Sequence, residues 1–189
     1  PASQLPSYVD DVIEGYLSGG EVYSDSGKTT EITGETGKIY VDLTSRKTYR
    51  WSGTLAKRGV TRRIILHHAA AVTCSADQIH AWHLANGWSG IGYHFFVRKD
   101  GTVYRGRPED TVGAHAGGSN SDSIGVCFEG SFDKEEMPAV QRRAGTELVT
   151  YLKKKYGVTT VQRHSDVNAT GCPGTHFPFD AIAYGREAE

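Results

Sequence analysis

The sequence lacks a long hydrophobic run, a clear excess of one charge and a dense set of cysteines. No apolar stretch in its 189 residues approaches the roughly 20 that a membrane-spanning helix needs, so we expect no membrane span. The 21 Lys and Arg nearly balance the 22 Asp and Glu, which gives no electrostatic reason to expect nucleic acid as a partner. Residues 1–15 show neither the basic nor the apolar segment of a secretory signal, and the cellular location stays open.

The three cysteines are Cys74, Cys127 and Cys172. An odd number leaves at least one thiol free, and the spacing does not indicate a disulfide framework. On composition alone, any of the three is open to metal binding. Hydrophobic residues make up 38% of the chain, which is enough for a folded core.

The character of the chain changes near residue 60, and we expect a small β-rich appendage at residues 1–60 before a main domain at 61–189. Two stretches in which apolar and polar residues alternate, at 37–43 and 47–51, predict a β-hairpin. A lone hairpin is only marginally stable, so this one needs to pack on another part of the protein. This part also resembles the short modules that precede enzymatic or tail domains in phage proteins.

The main domain has the pattern of an α/β protein. An apolar run at 62–68 predicts a buried strand. Ser75 and Gln78 have the spacing of a capping box, which marks the start of a helix. Lys99-Asp-Gly101 predicts the turn of a β-hairpin. A further strand is expected at 123–130. A helix that starts near Pro138 and ends at Gly157 carries an apolar stripe of Val140, Ala144, Leu148 and Leu152. Such interleaving predicts a β-sheet with helices on both faces.

His164 and Cys172 are separated by seven residues, which suits a loop that turns both side chains toward one point. A lone histidine and a lone cysteine seldom bind a metal, so a third ligand is needed. The predicted strand supplies His67 and His68, of which only one can face a given site because adjacent strand residues point to opposite faces. Two imidazoles and one thiolate bind zinc and leave a fourth position open, which favours a catalytic over a structural site.

Five motifs in chain order carry a resemblance to a known family: ILHHAAA, AWHLANGW, IGYHFFVRKDGTVYRGR, VGAHAGGSNSDSIGVCFEG and RHSDVNATGCPG. Residues 62–184 resemble the type 2 N-acetylmuramoyl-L-alanine amidases and peptidoglycan recognition proteins, a family that includes phage lysozymes of the T7 type. The resemblance implies a central mixed β-sheet flanked by helices. It also implies one Zn²⁺ per chain, with His67, His164 and Cys172 as the ligands.

The same resemblance implies the remaining site residues. Tyr93 matches a tyrosine beside the zinc, whose hydroxyl would stabilise the oxyanion. Thr170 stands where the T7 enzyme has a catalytic lysine, so a mechanism that uses a cation at this point is in doubt. His94, His115 and Asn120 lie in motifs that line the substrate groove of the family.

The implied function is zinc-dependent hydrolysis of the amide bond between N-acetylmuramic acid and L-alanine, with peptidoglycan of the bacterial cell wall as the partner. The cysteine at position 172 favours an enzyme, because family members that only bind peptidoglycan commonly have another residue there. Two alternatives stay open: a non-catalytic peptidoglycan-binding module on the same fold, and a phage tail-associated structural protein.

Overall fold

The computed structural model describes residues 51–186 with their side chains and residues 21–25, 29–33 and 38–42 by their backbone. The strand predicted at 37–43 is confirmed as Lys38–Asp42. Most of its expected hairpin partner, residues 47–50, lies outside the described residues, and Trp51 is not in a strand. Both edges of Lys38–Asp42 are instead paired with other strands, at 29–33 and 103–105.

The strands of the described residues are β1 Glu21–Asp25, β2 Thr29–Thr33, β3 Lys38–Asp42, β4 Arg63–His68, β5 Phe95–Val97, β6 Val103–Arg105, β7 Ser123–Phe128 and β8 Val161–Arg163. They form one sheet with the order β1-β2-β3-β6-β5-β7-β4-β8. The pairings β3–β6, β5–β7, β7–β4 and β4–β8 are parallel and the other three are antiparallel, which confirms the mixed sheet.

Three helices within the described residues pack on this sheet: α1 Ala76–Ala85, α2 Ala139–Tyr156 and α3 Phe179–Tyr184. The capping box at the start of α1 is present, since Ser75 Oγ accepts from the Gln78 N–H and Gln78 Oε1 accepts from the Ser75 N–H. α2 ends at Gly157, whose φ of 62° is in the left-handed region that favours glycine. None of the helices within the described ranges is long and apolar enough to cross a membrane.

The two faces of the sheet carry different side chains. One face packs against α2 and α3 through a large apolar cluster that includes Ile64, Leu66, Phe95, Val97, Ile124, Val126, Phe128, Leu148 and Leu152. The other face has a smaller cluster around α1 that includes Ile79, Ile91, Phe96 and Cys127. The apolar stripe of α2 was predicted one residue too long, because Val140 is 40% exposed in the first turn of the helix.

Candidate metal centre and active site

The site is built around His67, near the end of β4. His67 pairs in register with Cys127 of β7 and is fully buried. Its Nδ1 lies 3.9 Å from Cys172 Sγ, and its ring centroid lies 4.5 Å from that of His164. The central strand therefore presents one candidate ligand to a loop that carries the other two candidates.

That loop begins with a 3-10 turn at His164–Asp166, directly after β8. The backbone N–H groups of Val167 and Asn168 donate to the carbonyl of His164, and the N–H of Ser165 donates to the carbonyl of Cys172 at 2.9 Å. These bonds fold the segment back on itself. His164 and Cys172 consequently lie side by side although seven residues separate them.

Cys172 is held by hydrogen bonds at its backbone and its sulfur. Its N–H donates to Thr170 Oγ1 at 3.2 Å, and Sγ accepts from the backbone N–H of His68 at 3.4 Å. Burial raises the pKa of the Cys172 thiol to about 11, and the His68 N–H opposes that rise because it stabilises the thiolate. A cation bound beside the sulfur would reverse the balance, since a metal-coordinating thiol is deprotonated.

His67, His164 and Cys172 form a group whose ligand atoms all lie within 4.8 Å of one another. Zinc–nitrogen and zinc–sulfur bonds of about 2.0–2.3 Å in a tetrahedron place such donors roughly 3.3–3.7 Å apart. Burial lowers the pKa of His67 and of His164, which keeps both imidazoles in the neutral form that metals bind. The donor set fits zinc after small side-chain adjustments.

The two adjacent histidines of β4 divide as the strand geometry predicts. His67 enters the ligand group, whereas His68 Nδ1 accepts a hydrogen bond from the backbone N–H of Phe132 at 3.2 Å. The ring of His68 also lies 6.2 Å from that of Phe132, which belongs to the large apolar cluster. The hydrogen bonds of His68 to Cys172 come from its backbone N–H and carbonyl groups.

Tyr93 lies beside the ligand group, with its ring centroid 5.1 Å from that of His67. The preceding residue is fixed to α1, because the N–H of Gly92 donates to His83 Nδ1 at 2.9 Å. Burial, followed by the neighbouring Cys127 and Cys172, raises the pKa of Tyr93 well above its usual value. A hydrogen bond with Cys127 also favours the protonated hydroxyl. Thr170 lies on the loop that carries His164 and Cys172, and it is exposed.

The three residues expected in the substrate groove occupy different places. His94 is fully buried, where Nδ1 accepts from the Gly125 N–H and Nε2 lies 3.0 Å from the Thr111 carbonyl oxygen. His115 is buried against His67, and Asn120 Oδ1 accepts from the N–H groups of His115 and Ala116 at 2.8 Å. The structure thus places His94 in the core, His115 behind the ligand group and the Asn120 side-chain oxygen inside its own loop.

Some residues around the site were missed by the sequence analysis. Asn168 Nδ2 donates to the carbonyl of Gly117, which ties the loop of His164 to the loop of His115. Ser123 Oγ lies 3.4 Å from His115 Nε2. Asn168 and Ser123 both lie inside the quoted motifs, which is a signal that could have found them. The partner of Asn168 is 51 positions away in the chain, whereas His115 lies in the same motif as Ser123.

The fold and the grouped ligand atoms define a class: an amidase-type α/β domain with a mixed sheet. Residues 57–175 match the family described as N-acetylmuramoyl-L-alanine amidase, and the chain belongs to this family. The endolysin of Klebsiella phage KP32 is 38% identical over 125 residues, which cover 62% of this chain and 83% of that protein.

Solved structures of related proteins share the fold. The N-acetylmuramoyl-L-alanine amidase LysC from Clostridium intestinale URNW is 41% identical, with a TM-score of 0.72 over 76% of this chain and 93% of that one. Drosophila PGRP-LB is 25% identical, with a TM-score of 0.67 over 76% of this chain and 93% of that one. The resemblance to amidases and peptidoglycan recognition proteins is confirmed.

Proposed function

We propose that this protein is a zinc-dependent N-acetylmuramoyl-L-alanine amidase that cuts the amide bond between N-acetylmuramic acid and L-alanine in peptidoglycan. The observation that carries the proposal is the convergence of His67, His164 and Cys172, whose ligand atoms lie within 4.8 Å of one another in a chain of this family. No fourth histidine, cysteine or carboxylate joins this group among the described residues, which suits catalysis better than a closed structural site.

His67, His164 and Cys172 would hold one zinc ion, which supplies Lewis-acid activation of water and of the amide carbonyl when bound. The hydroxyl of Tyr93 would donate a hydrogen bond to the carbonyl oxygen as negative charge develops on it. A phenol keeps its proton at neutral pH, and the ring of Tyr93 lies 5.1 Å, centroid to centroid, from that of His67.

Thr170 has a smaller proposed role. Its Oγ1 already accepts from the N–H of Cys172, which leaves one neutral hydroxyl proton to donate to substrate. We therefore assign most of the oxyanion stabilisation to zinc and Tyr93. His94, His115 and Asn120 would shape the groove from behind, through the loop and strand ends that they hold in place, more than through direct contact with peptidoglycan.

We further propose that residues 61–189 are the catalytic domain and that residues 1–60 are an appendage. The match to the amidase family, which begins at residue 57, supports this division. The backbone pairing of β3 with β6 extends the sheet of the catalytic domain at one edge. A chain that begins at residue 57 should keep its zinc and its activity if the division is correct.

The decisive experiment combines metal analysis of the purified protein with mass spectrometry of digested peptidoglycan. We expect one zinc per chain and peptide stems released with a free L-alanine amine, and we expect a chelator to abolish cleavage and added zinc to restore it. Cys172→Ala should bind little zinc and release no stems. Cys74→Ala is the matched control, because Cys74 is a buried thiol in the cluster around α1 and outside the ligand group.

Three results would contradict the proposal: cleavage at glycosidic bonds, cleavage within the peptide stem, or full activity in Cys172→Ala. Zinc binding and muropeptide binding without any released stem would identify a non-catalytic binding module.

A further inference from the structure

A line of buried polar groups runs from His67 away from the candidate metal position. His67 Nε2 lies 3.0 Å from His115 Nδ1, and His115 Nε2 lies 3.4 Å from Ser123 Oγ. Ser123 Oγ lies 2.6 Å from the backbone carbonyl oxygen of Ser119, where the line ends. All four residues are buried, and His67 and Ser123 completely so.

The last group in this line determines which atom donates and which accepts in each of its hydrogen bonds. A carbonyl oxygen can only accept, so the Ser123 hydroxyl donates to Ser119. A lone pair of Ser123 Oγ is then left to accept from the N–H at His115 Nε2. His115 Nδ1, without a proton, accepts in turn from the N–H at His67 Nε2. The Nδ1 atom of His67 consequently carries a lone pair, and it is the atom that faces Cys172 Sγ.

We propose that His115 and Ser123 are positioning residues, which hold His67 in the tautomer and the ring orientation that present Nδ1 to zinc. The proposal rests on the proposed function, because it concerns a ligand of the proposed zinc site. It assigns to His115 a role behind the ligand rather than in substrate binding, since the residue is only 7% exposed and both of its ring nitrogens face other protein groups.

The backbone leaves room for the His115 ring and little for anything else. A Cβ atom added at Gly125 or at Gly113 would come within 2.5 Å of His115 Cδ2, far inside van der Waals contact. The N–H of His115 is held by Asn120 Oδ1 at 2.8 Å. With its backbone tied and two glycines against its ring, His115 is fixed in place, and it fixes His67 in turn.

His94 shows that burial alone does not produce this arrangement. Its ring centroid is 5.6 Å from that of His115, and it is fully buried. Its nitrogens nevertheless face the Gly125 N–H, the Thr111 carbonyl oxygen and the guanidinium of Arg58, and not a ligand of the proposed site. Of these two neighbouring histidines, His115 is the one that contacts His67 through a ring nitrogen.

The test measures zinc affinity by chelator competition and the His67 tautomer by ¹⁵N NMR of the imidazoles. Substitution of a residue that hydrogen-bonds a metal ligand typically lowers metal affinity about 10- to 100-fold. We expect a loss of that size in His115→Leu. Ser123→Ala should show a smaller loss in the same direction, and His115→Gln should recover part of the affinity because its amide oxygen can accept from His67 Nε2. The His67 signal should report Nε2 protonation in the parent protein and a mixture in His115→Leu.

The control is His80→Leu, which removes a buried imidazole that accepts the Ile91 N–H and is not part of this line of groups. It should lose stability and keep its zinc affinity. Unchanged affinity and an unchanged His67 tautomer in His115→Leu, or in Ser123→Ala should the first variant not fold, would overturn the proposal. A parent protein that binds no zinc would overturn the proposed function as well, whereas a zinc-binding parent with insensitive variants would overturn only the positioning role.

Discussion

The two faces of the same sheet obey different rules. The face toward α2 and α3 is an apolar cluster whose members need only to exclude water and fill space. The face toward α1 carries His67, His94 and Cys127, with His115 packed against it, so that polar groups occupy positions that apolar residues would fill in a simple core.

The two faces therefore differ in what their buried side chains require. A buried polar group lowers stability unless it has a hydrogen-bond partner. On the face toward α1, here called the histidine face, the rings of His67, His94 and His115 each have such partners in the backbone or in another side chain. The apolar face needs no such matching, because the hydrophobic effect is non-directional. Substitutions at five residues test whether the two faces are as separate as this comparison implies.

The largest difference in zinc content is expected between alanine variants of the adjacent residues His67 and His68. His67→Ala removes a proposed ligand, and we expect zinc stoichiometry to fall to near zero and stem release to reach background. His68→Ala leaves the backbone N–H to Cys172 intact and should retain zinc, while the unpaired Phe132 N–H costs about 1–3 kcal/mol of unfolding free energy. Zinc analysis and urea unfolding of both variants measure the contrast. Equal zinc loss in the two would refute the division of the faces.

Leu148→Ala tests the apolar face alone. Leu148 is fully buried in the large cluster, and its truncation should lower the free energy of unfolding by about 2–5 kcal/mol. Because the histidine face lies on the other side of the sheet, we expect the remaining folded protein to keep its zinc affinity and its kcat. Loss of zinc binding in the folded fraction would show that the two faces are coupled.

Tyr93→Phe tests the histidine face without touching a ligand. Removal of one oxyanion donor typically costs 10²- to 10³-fold in kcat, or about 2.7–4 kcal/mol, and we expect a loss of that order here. Zinc content should stay at the parent level, which a metal assay beside the kinetic measurement checks. A kcat within a few-fold of the parent value would remove Tyr93 from the proposed mechanism.

Thr170→Ala should give the smallest change. Thr170 is exposed and its Oγ1 accepts one hydrogen bond from the Cys172 N–H, a contact worth about 0.5–1.5 kcal/mol in stability. We expect a modest loss of activity, recovered by Thr170→Ser. A collapse comparable to that of His67→Ala would contradict the assignment of oxyanion stabilisation to zinc and Tyr93, and gain of activity in Thr170→Lys would show that a cation can act at this position.

Much of the fold was predictable because its signals are local. The capping box at Ser75, the hairpin turn at Lys99-Asp-Gly101 and the stop at Gly157 each act through backbone groups within a few residues, and the structure confirms all three. The N-terminal hairpin was less predictable, because the pairing of β3 with β6 joins residues about sixty positions apart. Strand pairing over such a distance depends on the folded sheet and leaves no local pattern.

The candidate site divides in the same way. The alternation of a strand by itself required that only one of His67 and His68 face a site, and the ordered motifs indicated the family and the three proposed ligands. Only the tertiary structure decided that His94 lies in the core, that His115 lies behind His67, and that Ser123 ends the line at a backbone carbonyl. The residue types of these side chains are written in the sequence, but a hydrogen bond between buried groups depends on distance and direction, and those exist only after β4, β7 and the loops have packed together.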